Sequence, residues 1–136
     1  MGLDLEVCLD WDGNCHGYEL CVWNGSFKAS TDLDVGPEEI TKFARCIAGF
    51  PAKPGDERSF VFGERGPAYP HGYCSLRFRS IASSVEAVLD VTLEANQPDL
   101  STAKAKAEFS IFVELDDITR FVAAVEEGLV YKVGWW

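Results

Sequence analysis

The stretch YCSLRFRSIASSVEAVLDVTLEA, from Tyr73 to Ala95, alternates apolar and polar side chains on both sides of a Ser83-Ser84 turn. Cys74, Leu76 and Phe78 share one parity and Arg77 and Arg79 the other; after the turn, Val85, Ala87, Leu89, Val91 and Leu93 alternate with Glu86, Asp90 and Glu94. A period of two is the signature of a strand with one face on a core and the other in water. With Ser83 and Ser84 as the loop residues, Phe78 falls opposite Leu89 and Arg77 opposite Asp90, so apolar and ionic pairing select the same register. An antiparallel hairpin is predicted.

The same alternation runs outward in both directions. Leu3, Leu5, Val7, Leu9 and Trp11 alternate with Asp4, Glu6, Cys8 and Asp10, and after the turn residues Asp12-Gly13-Asn14 a second strand sets Tyr18, Leu20 and Val22 against Glu19, Cys21 and Trp23. Asn24-Gly25 marks a tight turn into a third strand around Phe27, Ala29 and Thr31. Gly36-Pro37-Glu38-Glu39 opens a helix whose stripe is Ile40, Phe43, Ala44 and Ile47, ended by Gly49 and Pro51. A short strand follows at Ser59–Phe62, and the segment from Gly63 to Gly72 has too many glycines and prolines for a regular element. Ala105 to Leu115 alternates again, Asp116 or Asp117 caps a second helix carrying Ile118, Phe121, Val122 and Val125, and Gly128 stops it. The tail VYKVGWW offers one last extended piece. The reading is a single α+β domain over residues 1–136, mainly antiparallel sheet of about seven strands with two amphipathic helices. Ile40-Thr41-Lys42-Phe43-Ala44 echoes Ile118-Thr119-Arg120-Phe121-Val122, with Ile47 and Val125 at the same offset, which suggests two meander-plus-helix halves.

The composition limits the function. A chain of 136 residues, 47% hydrophobic, is long enough for one core burying roughly 65–70% of the unfolded surface. Twelve Lys and Arg against 22 Asp and Glu give a formal charge of −10, and no basic patch offsets it, so nucleic acid is not an expected partner. The opening MGLDLEVCLDWD has neither a basic start nor an apolar run, and no stretch is long enough to span a membrane; a soluble, cytoplasmic protein is expected, its five cysteines reduced and at least half-buried.

Familiar chemical sites are not assembled. Asp10-Trp11-Asp12-Gly13-Asn14 begins like a calcium loop, but Cys15 stands where the sharp turn needs Gly and Cys21 where a bidentate acid is needed. Cys8, Cys15, His16 and Cys21 lack the close cysteine spacing of a structural zinc site. Cys74 near His71 shares the inward parity of Leu76 and Phe78, where a thiol is inert. No catalytic residue, metal ligand or cofactor is assigned. The distribution of charge remains. From Met1 to Phe27 there are Asp4, Glu6, Asp10, Asp12 and Glu19 and no Lys or Arg, with Trp11, Tyr18 and Trp23 among them. An acidic surface with aromatic anchors suits a basic protein partner, and Asp4, Glu6, Asp10, Asp12, Glu19 and Trp23 are the expected contact residues.

The order LDLEVCLDW, YELCVW, SFKAS, EEITKFARCI and FSIFVELDDITRFVAAV resembles the WapI-type immunity proteins of bacterial polymorphic toxin systems. The resemblance implies an inhibitor of a cognate toxin domain and brings no catalytic residues. Two other readings compete. One is an enzyme or small-molecule binder with a pocket beside Tyr69, His71, Tyr73 and the Arg77/Arg79 face. The other is a structural subunit in which Trp135 and Trp136 fold back on the core or seal a homo-oligomer.

Overall fold

The computed structural model describes residues 2–9, 11–13, 15–65, 72–81, 85–95, 105–128 and 132–134, without the side chains of 4–7, 9, 15 and 132–134. The elements are β1 (Gly2–Leu9), β2 (Cys15–Trp23), β3 (Lys28–Leu33), α1 (Pro37–Ile47), β4 (Glu57–Phe62), β5 (Tyr73–Ser80), β6 (Glu86–Ala95), β7 (Ala105–Glu114), α2 (Leu115–Glu126) and β8 (Lys132–Gly134). They form two antiparallel sheets, ordered β3-β2-β1-β8 and β4-β5-β6-β7. The chain is α+β, as its sequence predicts.

The predicted register of the central hairpin is the observed one: Phe78 lies opposite Leu89 and Arg77 opposite Asp90. The charges pair diagonally, however. Arg79 makes two bonds to Asp90, at 2.6 and 3.1 Å, while Arg77 reaches Glu57, the residue opposite Arg79, at 2.8 Å. Long guanidinium stems span the diagonal of a sheet as readily as the direct pair. Ser110, opposite Asp90 on β7, donates to the same carboxylate at 2.6 Å.

Several boundaries differ from the alternation. Trp11 shares the parity of Leu3 but lies in the β1–β2 turn with 95% of its surface exposed, because β1 ends at Leu9. Val85 is 77% exposed for the same reason, since β6 starts one residue later, and Phe27 sits in the β2–β3 turn ahead of the strand. At α2 neither Asp116 nor Asp117 is the cap: the chain passes straight from β7 through Glu114 into the helix, and both acids lie in its first turn. There they face the positive end of the macrodipole, and Asp117 pairs with Arg120. Gly49 and Gly128 take φ of +73° and +82° where the helices stop, a conformation that costs glycine little.

The two halves share one plan. Read with β5, β6 and β7 in place of β1, β2 and β3, the second sheet repeats the first, and the strand after each helix joins the other half's sheet: β4 pairs with β5, and β8 with β1. The echoed helices match in detail. Thr41 and Thr119 each donate back to the carbonyl four residues earlier, Pro37 and Leu115, and Lys42–Glu39 and Arg120–Asp117 are equivalent ion pairs. Phe43 and Phe121, equivalent by this count, touch edge-to-face at 5.4 Å. Phe43 also meets Phe60, Phe62 and Phe78 at centroid distances of 5.3, 5.4 and 6.2 Å, so it is the hub of a continuous core that takes in both sheets and both helices.

The end of α1 is locked by a strand residue. Arg58 of β4 donates to the carbonyls of Cys46 and Ala48, at 3.2 and 2.6 Å, and to Asp56 at 3.0 Å, with its guanidinium over the Phe50 ring. These carbonyls belong to the helix end that has no intrahelical donors left, so a half-buried cation there serves both hydrogen bonding and the dipole.

Candidate functional site

Of the expected contact residues, Glu19 and Trp23 lie on the outer face of the first sheet, and the structure separates them. Strand pairing sets Glu6 opposite Glu19 and Glu19 opposite Asp32, three acids in register across β1, β2 and β3. Lys132 on β8 is the register partner of Glu6 and ends that row. Glu19 and Asp32 are both exposed. Asp4 is the register partner of Cys21; the side chains of Asp4 and Glu6, and the whole of Asp10, lie outside the described residues. Asp12 is exposed in the β1–β2 turn, at the opposite end of β2 from Trp23. Trp23 stands four residues from Glu19, about 13 Å along the strand, and is half-buried.

Asp32 was not among the residues expected from sequence. A two-residue Asn24-Gly25 turn would set Ser30 opposite Glu19, whereas the observed loop runs from Asn24 to Phe27, pairs Trp23 with Lys28 and sets Asp32 beside Glu19. The turn is well built: Asn24 Oδ1 accepts from the backbone of Ser26 and Phe27 at 3.0 and 2.8 Å, Asn24 N donates to Phe27 O at 3.0 Å, and Gly25 takes φ +92°. Asn24 Nδ2 also donates to Ser110 O on β7 at 3.4 Å, tying the hairpin tip to the other sheet.

Trp23 belongs to a different feature. With Cys21, Gly25, Ser26, Phe27 and Lys28 it lines an open groove of about 410 Å³. A second groove, about 300 Å³, lies between β3 and β7, an edge strand of each sheet, and shares Phe27 and Lys28, with Ala29, Lys106, Ala107, Glu108 and Phe109 as the remaining lining. Phe27 is 67% exposed and stacks on Phe109 with ring centroids 6.5 Å apart. A third groove of about 280 Å³ runs between the helices, lined chiefly by Ile47, Phe50, Ile118 and Val122.

The arginine face proposed for a small-molecule pocket is committed to internal pairs. Arg65 lies over the Tyr73 ring at 4.4 Å and bonds Glu94 at 2.5 Å, while Arg77 and Arg79 hold Glu57 and Asp90. Arg79 and then Ser110 keep the Asp90 carboxyl below the usual carboxylate range despite partial burial. The Ala52 N–H and the Arg58 guanidinium do the same for Asp56. Tyr69 and His71, like Trp135 and Trp136, lie outside the described residues.

Of the cysteines, Cys74 is fully buried and burial pushes its thiol up, well away from a nucleophile's range. Burial also raises Cys46, against the opposing pull of Arg58, and its thiol donates to Ser59 O. Cys8 and Cys21 are half-buried. Among the described residues no three His, Cys, Asp or Glu side chains converge as a metal site, and no helix is long and apolar enough to cross a membrane.

No protein-family model, curated protein or solved structure matches the chain. The reading of function therefore rests on the residues themselves.

Proposed function

We propose that the chain is a protein-binding module that engages a basic partner through the outer face of its first sheet, in the manner of an immunity protein that covers the surface of a cognate toxin domain. The observation that carries this reading is the row of acids in register. Like charges directly opposite on neighbouring strands destabilise a sheet, and strand pairing sets Asp32, Glu19 and Glu6 in one such row. A cationic surface laid across the row would relieve that repulsion, and the −10 net charge would speed the encounter.

The test is the association rate with a basic toxin domain encoded beside this chain, measured by stopped flow across a salt series. Rising salt should slow association steeply, and Glu19→Lys with Asp32→Lys should slow it about tenfold or more while leaving the fold intact. A rate indifferent to both salt and the double variant would remove the acidic face from recognition.

A further inference from the structure

The grooves on either side of Phe27 are chemically unlike the acidic face. The Lys28 side chain is exposed and forms no ion pair or hydrogen bond with any described residue, in a chain where carboxylates outnumber cations almost two to one. Lys28 lines both grooves, with Trp23 and Phe27 in the first and Phe27 and Phe109 in the second. Lys106, on the far bank of the second groove, pairs with Glu108 at 3.1 Å. Phe27 is held out by a turn whose backbone is fixed by Asn24, so its exposed ring is positioned before anything binds and little ordering remains to be done.

We infer that the paired grooves at the β2–β3 tip bind a small planar aromatic anion, its ring against Phe27 and Trp23 and its charge at Lys28. Each groove lies near the lower end of the volumes typical of small-molecule sites, about 300–1,000 Å³. The aromatic rings supply stacking and the Lys28 ammonium supplies the charge preference. The negative charges of Glu19 and Asp32 do not cancel that preference. Both stand four residues along their strands from the groove pair Trp23 and Lys28, about 13 Å, beyond the roughly 8 Å screening length at physiological salt. The inference is independent of the basic-partner reading, because it uses the other end of the sheet and the opposite charge.

The probe is 1-anilinonaphthalene-8-sulfonate, titrated by fluorescence against the folded chain, with the uncharged N-phenyl-1-naphthylamine alongside. The chain should bind the sulfonate saturably at one site. Lys28→Met should weaken the sulfonate about fivefold and leave the neutral compound unchanged, whereas Phe27→Ala should weaken both by a similar factor. Lys42→Met, on α1 and remote from the grooves, is the control for lost charge, and near-ultraviolet circular dichroism verifies that each variant is folded. Failure to saturate, or a Lys28→Met affinity no different from that of Lys42→Met, would overturn the inference. Equal weakening of both probes by Lys28→Met would also overturn it, since the lysine would then contribute packing without charge recognition.

Discussion

Phe43 is the residue on which most of the interior depends. Its ring touches four others, from β4, β5 and α2, and it is fully buried. Phe43→Ala should cost about 3–5 kcal/mol, the transfer free energy plus the cavity left among rings that cannot collapse together, measurable by urea unfolding. Phe43→Leu should cost distinctly less. At the surface, Asp90 allows a test of sign. Its carboxyl titrates lower in the folded chain than in the unfolded one, so the unfolded state binds more protons in that window and folding is favoured as pH rises through it. The contribution is present above the unfolded value near pH 4 and is lost as pH falls through the lowered folded value. Asp90→Asn should therefore be about 1 kcal/mol less stable at neutral pH, with the difference from the parent shrinking in acid, as read by denaturant titrations at both pH values.

At the scale of elements, the join between α1 and β4 depends on one side chain. Arg58→Leu would leave the carbonyls of Cys46 and Ala48 short of a donor and Asp56 short of a cation, and should lower stability by about 2–4 kcal/mol. Hydrogen exchange should report the loss first in the last turn of α1, sooner than in the central strands. That role was not readable in the sequence. Arg58 shares the inward parity of Phe60 and Phe62, and nothing in the spacing says that the helix would end against it. What alternation did reveal was the β5–β6 hairpin with its register, both helix stripes and the glycines that end them, because each is decided by neighbours a few residues apart. It failed where a strand stops: Trp11, Phe27 and Val85 continue an apolar parity into turns, and parity does not register that the pairing has ended. The echo between the helices pointed to two halves, but the strand that completes each sheet was not legible, since it depends on which distant strand each helix returns the chain to. For the candidate surface, sequence marked Glu19 and Trp23 as one site; strand pairing joins Glu19 to Asp32 and sends Trp23 to the groove at Lys28.

The whole molecule is organised by exchange between its halves. Sheet one is completed by a strand from the end of the chain and sheet two by a strand from its middle, around a shared contact of the two helices at Phe43 and Phe121. The acidic row and the grooves at the hairpin tip sit at different places on the first sheet, so they can be altered separately: charge reversal at Glu19 and Asp32 should leave probe binding near Lys28 unchanged, and Lys28→Met should leave association with the proposed basic partner unchanged. A variant that moved both readouts together would show that the sheet answers as one surface.

Because each half lends the strand that finishes the other, the interval between β4 and β5 is a natural place to sever the chain. Residues 1–65 and 72–136, produced apart, should each be poorly folded, with one orphan strand and one incomplete sheet. Mixed, they should recover the circular dichroism of the intact chain, and either piece alone at high concentration could pair with its own kind in the same crossed arrangement. The fold thus provides a conditional reporter, silent in pieces and active only when something brings the two fragments into proximity.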